Sequence, residues 1–385
     1  MTLKMIPYGR QNIRLDDVWA VIKVLKSDWL TQGPKVAEFE RQVASFVGAK
    51  HAIAVANGTA ALHLAVAALN LEPGSEGITT ANTFVATPNA MLYNRIKPDL
   101  ADIDKDTYNI SLSDVEKRLN EKTKLLLPVH FAGLPVDMDR LKSIAASHDL
   151  HVIEDAAHAI GATYTNGARV GSCRYSDMTI FSFHPVKTIT TGEGGLITTN
   201  SDAYAEKLMA LRTHGISKDP LRHAENAGLP WYYELQHLGF NYRITDIQCA
   251  LGSAQFKKLR IFLDRRREIA SMYERAFADL EHVQRPFIRE GHGLHLYILQ
   301  IDFDAIPKSR TSVMMELRAR GIGTQVHYIP VYKQPYYQEK FDFDESNYPN
   351  TETYYKRCLS IPLYPAMTNS DVRKVVREIH RACRP

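Results

Sequence analysis

Short apolar runs alternate with helical stretches between about residues 35 and 255. The run Ala52–Ala56 predicts a buried strand, and Ala60–Leu69 after it predicts a helix. Further strands are predicted at 124–131, 151–154, 179–183 and 196–199, and a further helix at 137–148. Strands that alternate with helices form a mostly parallel sheet covered on both faces. The pattern therefore predicts a large α/β domain.

The pattern changes towards the C-terminus. A turn leading into a helix is predicted at 239–258, followed by a long connecting helix at 260–280. Beyond it we predict strands at 293–303 and 323–327 and helices at 312–320 and 370–382. We therefore predict two domains, residues 1–255 and residues 256–385, with an N-terminal helix at 16–26 packing back onto one of them.

Composition and charge exclude several classes of protein. The 385 residues are 45% hydrophobic and 23% charged, with a net charge of +4, which is ordinary for a soluble globular protein. The basic residues are scattered, so nucleic-acid binding is not expected. The longest apolar run, 60–71, is too short to cross a bilayer, and the N-terminus lacks an apolar segment of signal-peptide length. We expect a cytoplasmic protein without membrane contact.

The cysteines carry little information about function. Cys173, Cys249, Cys358 and Cys383 are widely spaced, and no Cys-x-x-Cys pair occurs in the sequence. This spacing argues against a disulfide scaffold and a structural zinc site, and we expect no bound metal.

Lys187 is the first candidate for chemistry. It follows an apolar strand, lies beyond Pro185, and precedes the Gly-rich turn Gly192–Gly195. A lysine that is partly removed from water can act as a Schiff-base nucleophile near neutral pH. A surface loop lysine would give the same local pattern, so this motif leaves both interpretations open.

Two further motifs lie at strand ends in the same predicted domain. Asn57–Thr59 joins a strand to a helix, and a helix N-terminus can bind phosphate, although an ordinary capped helix has the same sequence pattern. Glu154 and Asp155 end another strand and point to opposite faces, so one of them can face a ligand such as a pyridine nitrogen, and His158 can contact the same ligand. A divalent-metal site or a capping aspartate remains open for this second motif. A phosphate site, a carboxylate and a lysine together are what pyridoxal phosphate (PLP) requires.

The chain resembles the DegT/StrS-type sugar aminotransferases across nearly its whole length. The segments that carry this resemblance are Trp29–Gly33, Asn57–Leu62, Asn82–Thr87, Pro128–Gly133, Glu154–His158, Phe181–Lys187, Gly192–Gly195 and Gly239–Arg243. Many members of this family have Gln at the position of His158, whereas a subset has His there together with a Ser-Phe-His-x-x-Lys segment, which this chain shares.

The resemblance implies a fold and a set of residue roles. The fold would be the PLP-dependent transferase fold type I (aspartate-aminotransferase-like), with a large, mainly parallel-sheet domain and a smaller C-terminal α/β domain. Lys187 would carry PLP as a Schiff base and move protons between the cofactor and the sugar. The other cofactor contacts would be Gly58, Thr59, Phe84, Asp155, His158, Ser182 and Asn241. In particular, Asp155 would pair with the pyridine nitrogen, and Asn241 would reach the partner's site in a homodimer.

The resemblance also implies a substrate class. Within the family, the segments Gly171–Asp177, Pro230–Tyr233 and Val326–Pro330 resemble the branch of the pseudaminic acid pathway. That branch transfers an amino group from L-glutamate to C4 of UDP-4-keto-6-deoxy-N-acetyl-β-L-altrosamine. The substrate contacts carried over are Tyr8, Thr31, Asn241, His327 and Tyr328. The alternative is the branch that makes UDP-4-amino-4-deoxy-L-arabinose, since its members share the sequence around His158 and His184.

Three other functions stay open at this point. A PLP-dependent sugar dehydratase of the same fold would have His in place of the lysine, so Lys187 argues against it. A PLP-binding regulatory protein without turnover would share the cofactor residues. A metal-dependent hydrolase could use His130, Asp155 and His158, although no helical His-x-x-x-His pair supports it.

Overall fold

The computed structural model describes residues 5–217 and 229–384, and a seven-stranded sheet is the largest element within them. Its strands are β1 (His51–Val55), β2 (Glu76–Thr80), β3 (Lys97–Ala101), β4 (Thr123–Leu127), β5 (His151–Asp155), β6 (Met178–Ser182) and β7 (Gly195–Thr199). They lie in the order β1-β7-β6-β5-β4-β2-β3. Only β7 runs antiparallel to its neighbours, β1 and β6, whereas the other pairs are parallel. The prediction of a mainly parallel sheet is confirmed.

Helices cover both faces of this sheet. They are α2 (Pro34–Val47), α3 (Gly58–Leu69), α4 (Ala86–Tyr93), α5 (Leu112–Arg118), α6 (Met138–Ser147) and α7 (Asp202–Arg212). Two hydrophobic clusters form, one on each face, and α3 contributes to one of them with nearly all of its side chains. An apolar helix of this kind is stable only when it is enclosed, as α3 is here by the sheet, α4 and α7.

A polar junction connects the N-terminal helix to the long helix that leaves the large sheet. The helices here are α1 (Leu15–Leu25), α8 (Asp246–Phe256) and α9 (Leu259–Ala276). Asp17 is fully buried and accepts hydrogen bonds from Lys258 Nζ at 2.6 Å and Gln255 Nε2 at 2.8 Å. A buried carboxylate needs such partners, so this junction fixes α1 against α8. The N-terminal helix thus packs back onto the chain, as predicted from the sequence.

The C-terminal part forms a second core around a three-stranded sheet. Its strands are β10 (Val283–Gln284), β11 (Tyr297–Ile301) and β12 (Cys358–Ile361), and its helices are α10 (Arg310–Ala319), α11 (Pro335–Lys340), α12 (Pro349–Arg357) and α13 (Asn369–Ala382). A short hairpin of β8 (Ile216–Ser217) and β9 (Glu234–Leu235) precedes α8. Ile6 from the N-terminus also packs into the second core. The division at residues 255 and 256 stays a prediction.

Three predicted strands differ from the structure. The strand predicted at 124–131 ends at Leu127, because Pro128 has no N–H to continue the ladder. The strand predicted at 293–303 is regular only over β11, since Gly293 and His295 donate their N–H groups to the turn at Ala132 and Gly133. The segment 323–327 is not a strand, and Gln325 makes only an isolated bridge to Ser360.

In the described ranges, 5–217 and 229–384, no helix combines the length and the apolarity needed to cross a membrane.

Candidate active site

A cavity of about 620 Å³ lies at the carboxyl ends of β5 and β6. In open α/β sheets this is the edge where ligands bind. Ten of the residues singled out from the sequence line this one cavity: Tyr8, Gly58, Thr59, Phe84, Asp155, His158, Ser182, Lys187, His327 and Tyr328. The parallel strands and the turns that follow them therefore bring together residues that are up to 320 positions apart in the chain.

Lys187 lies in the turn that follows β6. Its N–H donates to the carbonyl oxygen of His184 at 2.9 Å, which fixes the turn around Pro185. Burial lowers the pKa of Lys187 to about 8, and the nearby negative charge of Asp155 opposes this shift. An amine with this pKa is partly unprotonated near neutral pH, as a nucleophile must be. Lys187 lines the cavity and is only partly exposed, which does not fit a surface-loop lysine.

Asp155 ends β5 and is almost fully buried. Its Oδ2 accepts a hydrogen bond from Thr87 Oγ1 at 2.8 Å, and its Oδ1 accepts one from the N–H of Ala157 at 3.1 Å. Burial raises the pKa of this carboxyl group, and the bonds from Thr87 and Ala157 and the charge of Lys187 offset part of that effect. A carboxylate held in this way is suited to a cationic group that enters the cavity.

The N-terminus of α3 forms another wall of the cavity. The Asn57 side chain caps the helix by accepting the N–H of Ala60 at 2.8 Å. Gly58 and Thr59 begin the helix, where N–H groups have no partner within the helix itself. A Cβ atom at Gly58 would lie 3.0 Å from Ser182 Cβ, so the glycine allows β6 to come close to the helix end. This arrangement of backbone N–H groups and hydroxyl groups is suited to phosphate.

Aromatic side chains form a further wall of the cavity. The Nε2 atom of His158 and the hydroxyl group of Tyr328 are hydrogen-bonded at 3.2 Å. Tyr328 also lies near Phe84, with ring centroids 6.0 Å apart, and Phe84 is 58% exposed. His327 Nδ1 is hydrogen-bonded to Ser360 Oγ at 2.7 Å, and burial lowers the pKa of His327 to about 3. The wall thus combines flat aromatic surface with uncharged imidazole groups.

Comparison with known proteins identifies the family. Residues 11–380 match the DegT/DnrJ/EryC1/StrS aminotransferase family. The chain belongs to this family. As a family member it is a sugar aminotransferase, and it has the fold type I architecture expected from its sequence.

Three relatives illustrate the match. The spore coat polysaccharide biosynthesis protein SpsC of Bacillus subtilis is 41% identical over 97% of this chain and 96% of its own. Helicobacter pylori PseC, an aminotransferase involved in the biosynthesis of pseudaminic acid, superposes with a TM-score of 0.92 at 30% identity, over 99% of each chain. The putative sugar aminotransferase Spr1654 of Streptococcus pneumoniae superposes in its PLP form with a TM-score of 0.90 at 27% identity, over 98% of each chain, and has also been solved in a PMP form.

Aminotransferases of the DegT/StrS family depend on PLP, and the cavity of this member fits that cofactor. A carboxylate, a lysine of lowered pKa and a helix N-terminus line the same space. These are the groups needed for the pyridine nitrogen, the aldehyde carbon and the phosphate. The Nδ1 atom of His158 is buried and lacks a hydrogen-bond partner among the described residues, so a group within the cavity could satisfy it.

Two predicted residues of this family member lie outside the cavity. Thr31 forms an isolated bridge to Thr245, and Asn241 forms one to Thr213, and both are exposed. Within one chain they do not line the space around Lys187. Their predicted roles in substrate binding therefore need a second subunit or a different route to the site.

The metal-dependent alternative does not gather its ligands. His130 Nε2 is hydrogen-bonded to Glu154 Oε2 at 2.7 Å, in a buried network with Tyr164 and Ser176 that lies apart from the cavity. Across 5–217 and 229–384 no three His, Cys, Asp or Glu side chains are grouped as metal ligands.

Among the cavity-lining residues that sequence reasoning missed, Thr87 and His295 contact predicted site residues directly. Thr87 is the last residue of Asn82–Thr87, one of the segments that carry the family resemblance. Nothing in that segment indicates that the Thr87 hydroxyl group donates a hydrogen bond to Asp155. His295 comes from the loop before β11, and its ring lies 4.4 Å from that of His158 between centroids. No local signal marks His295, because its contact depends on how the two cores meet.

Proposed function

We propose that this chain transfers an amino group from L-glutamate to C4 of a UDP-linked 4-keto-6-deoxy sugar, with PLP bound to Lys187. The sugar that we propose is UDP-4-keto-6-deoxy-N-acetyl-β-L-altrosamine, and the pathway is pseudaminic acid biosynthesis. The proposal includes a cytoplasmic enzyme that acts as a homodimer with shared sites.

The observation that carries the proposal is the joint position of Lys187 and Asp155 in one cavity. Both side chains line the same cavity, so one ligand can contact both, and the charge of each residue affects the pKa of the other. Gly58, Thr59 and Ser182 line the same cavity and would hold the phosphate. Bound PLP would supply an electron sink for the carbon that loses or gains a proton.

The chain's own residues would then control protons and orientation. Lys187 Nζ would accept a proton from the glutamate α-carbon and later deliver one to C4 of the sugar. Asp155, fixed by Thr87 and the N–H of Ala157, would hold a proton on the pyridine nitrogen. Phe84 and His158 would lie against the pyridine ring. The sugar would be contacted by three further residues that line the cavity, Tyr8, His327 and Tyr328.

The choice of sugar rests on similarity to PseC, which is involved in the biosynthesis of pseudaminic acid. A second candidate substrate is a keto sugar that is used in polysaccharide biosynthesis rather than in the pseudaminic acid pathway. The 41% identity to the spore coat polysaccharide biosynthesis protein SpsC favours it, since this value exceeds the 30% identity to PseC. The same donor half-reaction and the same residues would serve either sugar.

The homodimer is supported by apolar side chains that the single chain leaves exposed. Leu15 on α1 is 77% exposed, and Trp231 and Leu238 near the β8–β9 hairpin are 73% and 86% exposed. Exposed apolar side chains that are grouped together are typical of subunit interfaces, and Tyr233 and Leu235, between Trp231 and Leu238 in the chain, are exposed as well. Leu238 is three residues from Asn241, so an interface there would carry Asn241 towards the partner's cavity.

The test is the absorbance spectrum of the purified protein with PLP, before and after addition of glutamate. We expect a cofactor band that glutamate converts to the pyridoxamine phosphate spectrum, and the band should return when the correct 4-keto sugar is added. Lys187→Ala is the matched control and should turn over neither substrate. A cofactor band that glutamate leaves unchanged would contradict the aminotransferase proposal and favour a dehydratase or a binding protein. Ranking the pseudaminic acid precursor against other UDP-4-keto sugars, including the arabinose derivative, distinguishes the two candidate sugars.

A further inference from the structure

The loop before β11 passes directly behind the cavity. Gly293 and His295 donate their N–H groups to the carbonyl oxygens of Gly133 and Ala132, at 2.8 and 2.9 Å. On its other side, Arg266 Nη1 from α9 donates to the carbonyl oxygen of His295 at 3.1 Å. The backbone at His295 is thus held by a turn of the large sheet and by the connecting helix.

Arg266 is itself fully buried. Its Nη1 also donates to Leu363 O at 2.8 Å, and burial lowers its pKa to about 10. A guanidinium group enclosed among carbonyl oxygens has few ways to move without losing these bonds. The position of the loop is therefore determined by α9 and by the C-terminal core as well as by the large sheet.

The side chain of His295 is directed from this loop onto His158. Both rings are buried, their centroids are 4.4 Å apart, and their planes are inclined by 31°. Tyr328 holds a different part of His158 through the hydrogen bond at Nε2. His158 is thus fixed on one face by His295 and at one edge by Tyr328.

The charge of the pair follows from its surroundings. Burial lowers the pKa of His158 well below its ordinary value, and the charges of Lys187 and His327 act in the same direction. Burial also lowers the pKa of His295, with His158, Lys187, Arg266 and His327 adding to the effect. Both imidazoles are therefore uncharged at neutral pH.

His158 has one further property that packing alone does not explain. Its Nδ1 atom is buried without a hydrogen-bond partner among the described residues. An apolar ring at this position would fill the same space without leaving a polar atom unpaired. We infer that His295 is a positioning residue for His158, which fixes the imidazole plane and excludes water so that the Nδ1 edge of His158 can meet the cofactor.

This inference rests on the proposed function, because the group that His158 meets is PLP. It extends the site to the loop before β11, and Arg266 connects that loop to α9 and to the C-terminal core. The first test therefore uses the protein without cofactor, so that it can be decided independently of catalysis.

The test follows the imidazole resonances of ¹⁵N-histidine-labelled apoprotein through a pH titration, with the signal of His158 assigned by its loss in His158→Gln. In the wild type we expect His158 to take up its proton at a pH well below that of an ordinary histidine, because the ring is buried. In His295→Ala the titration midpoint of His158 should rise by about one pH unit or more, because water gains access to the ring. His295→Phe keeps a flat ring in place and should restore the wild-type behaviour.

His292→Ala is the matched control. His292 belongs to the same loop, is buried and also has an unpaired Nδ1, but it lines a different cavity. This variant should leave the titration of His158 unchanged. An unchanged midpoint in His295→Ala would overturn the inference, as would an equal shift in His292→Ala, which would indicate general loosening of the loop. A folded His295→Phe protein that behaves like His295→Ala would also overturn it.

The second readout is the circular dichroism band of bound PLP, together with the kinetics of amino transfer. His295→Ala should weaken the band and reduce kcat about tenfold, with the KM for the sugar within about twofold of wild type, because His295 acts through His158 rather than on the sugar. Wild-type levels of both would contradict the inference. If the wild-type protein takes up no PLP, the proposed function fails, whereas the titration of the apoprotein still decides the role of His295.

Discussion

Glu154 and Asp155 are neighbours in the chain, but their carboxyl groups have opposite environments. Glu154 accepts hydrogen bonds from His130, Tyr164 and Ser176 inside the core. Burial would raise its pKa, but these bonds and the charge of His130 more than offset that effect and lower it. Burial raises the pKa of Asp155, which faces the cavity and has fewer donors to offset that effect. The alternation of side chains along β5 thus separates a structural carboxylate from one that is available to a ligand.

Asp155→Asn tests this difference. A protonated pyridine about 4 Å from Asp155, at an effective dielectric constant near 20, would be stabilised by about 4 kcal/mol, so loss of the carboxylate charge should lower kcat about a thousandfold. The free energy of unfolding should change by no more than about 1 kcal/mol, because only one hydrogen bond is altered. Steady-state kinetics and urea unfolding measure the two effects.

Glu154→Gln provides the control for Asp155→Asn. It makes the same chemical change one residue earlier, in the buried network that does not line the cavity. We expect a clear loss of stability with kcat within a few-fold of wild type. The assignment of Asp155 would be wrong if the two variants exchanged these effects.

The pH dependence of PLP uptake follows from the lowered pKa of Lys187. Below pH 8 the amine is increasingly protonated and cannot attack the aldehyde, whereas above this value it is free. The rate of uptake by the apoprotein should therefore rise with pH, reach half of its maximum near pH 8 and level off about one unit higher, whereas an ordinary lysine would reach half of its maximum near pH 10. Stopped-flow absorbance measures this rate. A rate that continues to rise through pH 10 would show that Lys187 behaves as an exposed lysine.

At the scale of secondary-structure elements, turns determine which residues meet. Phe131–Gly133 forms a short turn after β4, in which Ala132 and Gly133 have φ values of 55° and 93°. A Cβ atom at Gly133 would lie 2.8 Å from the carbonyl oxygen of His158 and 3.1 Å from the N–H nitrogen of Leu294. The glycine thus allows the backbones on either side of the cavity wall to come into contact.

Gly133→Ala should therefore destabilise the protein, through both the left-handed φ and the clash with His158. Gly48 is the matched comparison, since it has a similar φ of 81° and open space around its Cβ position. Gly48→Ala should cost about 1–2 kcal/mol, and Gly133→Ala about 1–3 kcal/mol more because of the overpacking. Chemical denaturation measures both changes. Equal losses would mean that the close contact at Gly133 can relax without cost.

The sequence predicts well what depends on neighbouring residues. Apolar runs predicted β1, β5, β6 and β7, and helical spacing predicted α3, α6 and α9. The predicted ends of these elements lie within a few residues of the observed ends. The prediction failed where hydrogen bonds go to distant parts of the chain. Gly293 and His295 follow the pattern of a strand, but their N–H groups bond to residues 133 and 132. For the same reason the contact of His295 with His158 could not be predicted, whereas Lys187 and Asp155 stand in motifs that can be recognised locally.

At the scale of the whole molecule, the cavity draws on both cores. Tyr8, His295, His327 and Tyr328 reach it from the N-terminal segment and from the C-terminal part, while the lysine and the carboxylate belong to the large sheet. Outside the cavity, the apolar side chains of Trp231 and Leu238, which precede Asn241 in the chain, are exposed. Most of the predicted site residues therefore line the cavity, whereas Thr31 and Asn241 lie on the exposed surface.

A hybrid dimer tests whether this surface completes a partner's site. Lys187→Ala and Asn241→Asp are co-expressed with different tags, and the dimers that carry both tags are purified. If Asn241 acts in the partner's cavity, one of the two sites contains both defects and the other is intact, so about half of the wild-type activity should return. Each variant alone should be nearly inactive, Asn241→Asp because its charge repels the phosphate groups of the substrate or cofactor.

The control pairs Lys187→Ala with Asp155→Asn, since both residues line the same cavity of one chain. Both sites of that hybrid remain defective, so no activity should return. Recovery in the control, or none in the first hybrid, would mean that Asn241 does not act across the interface.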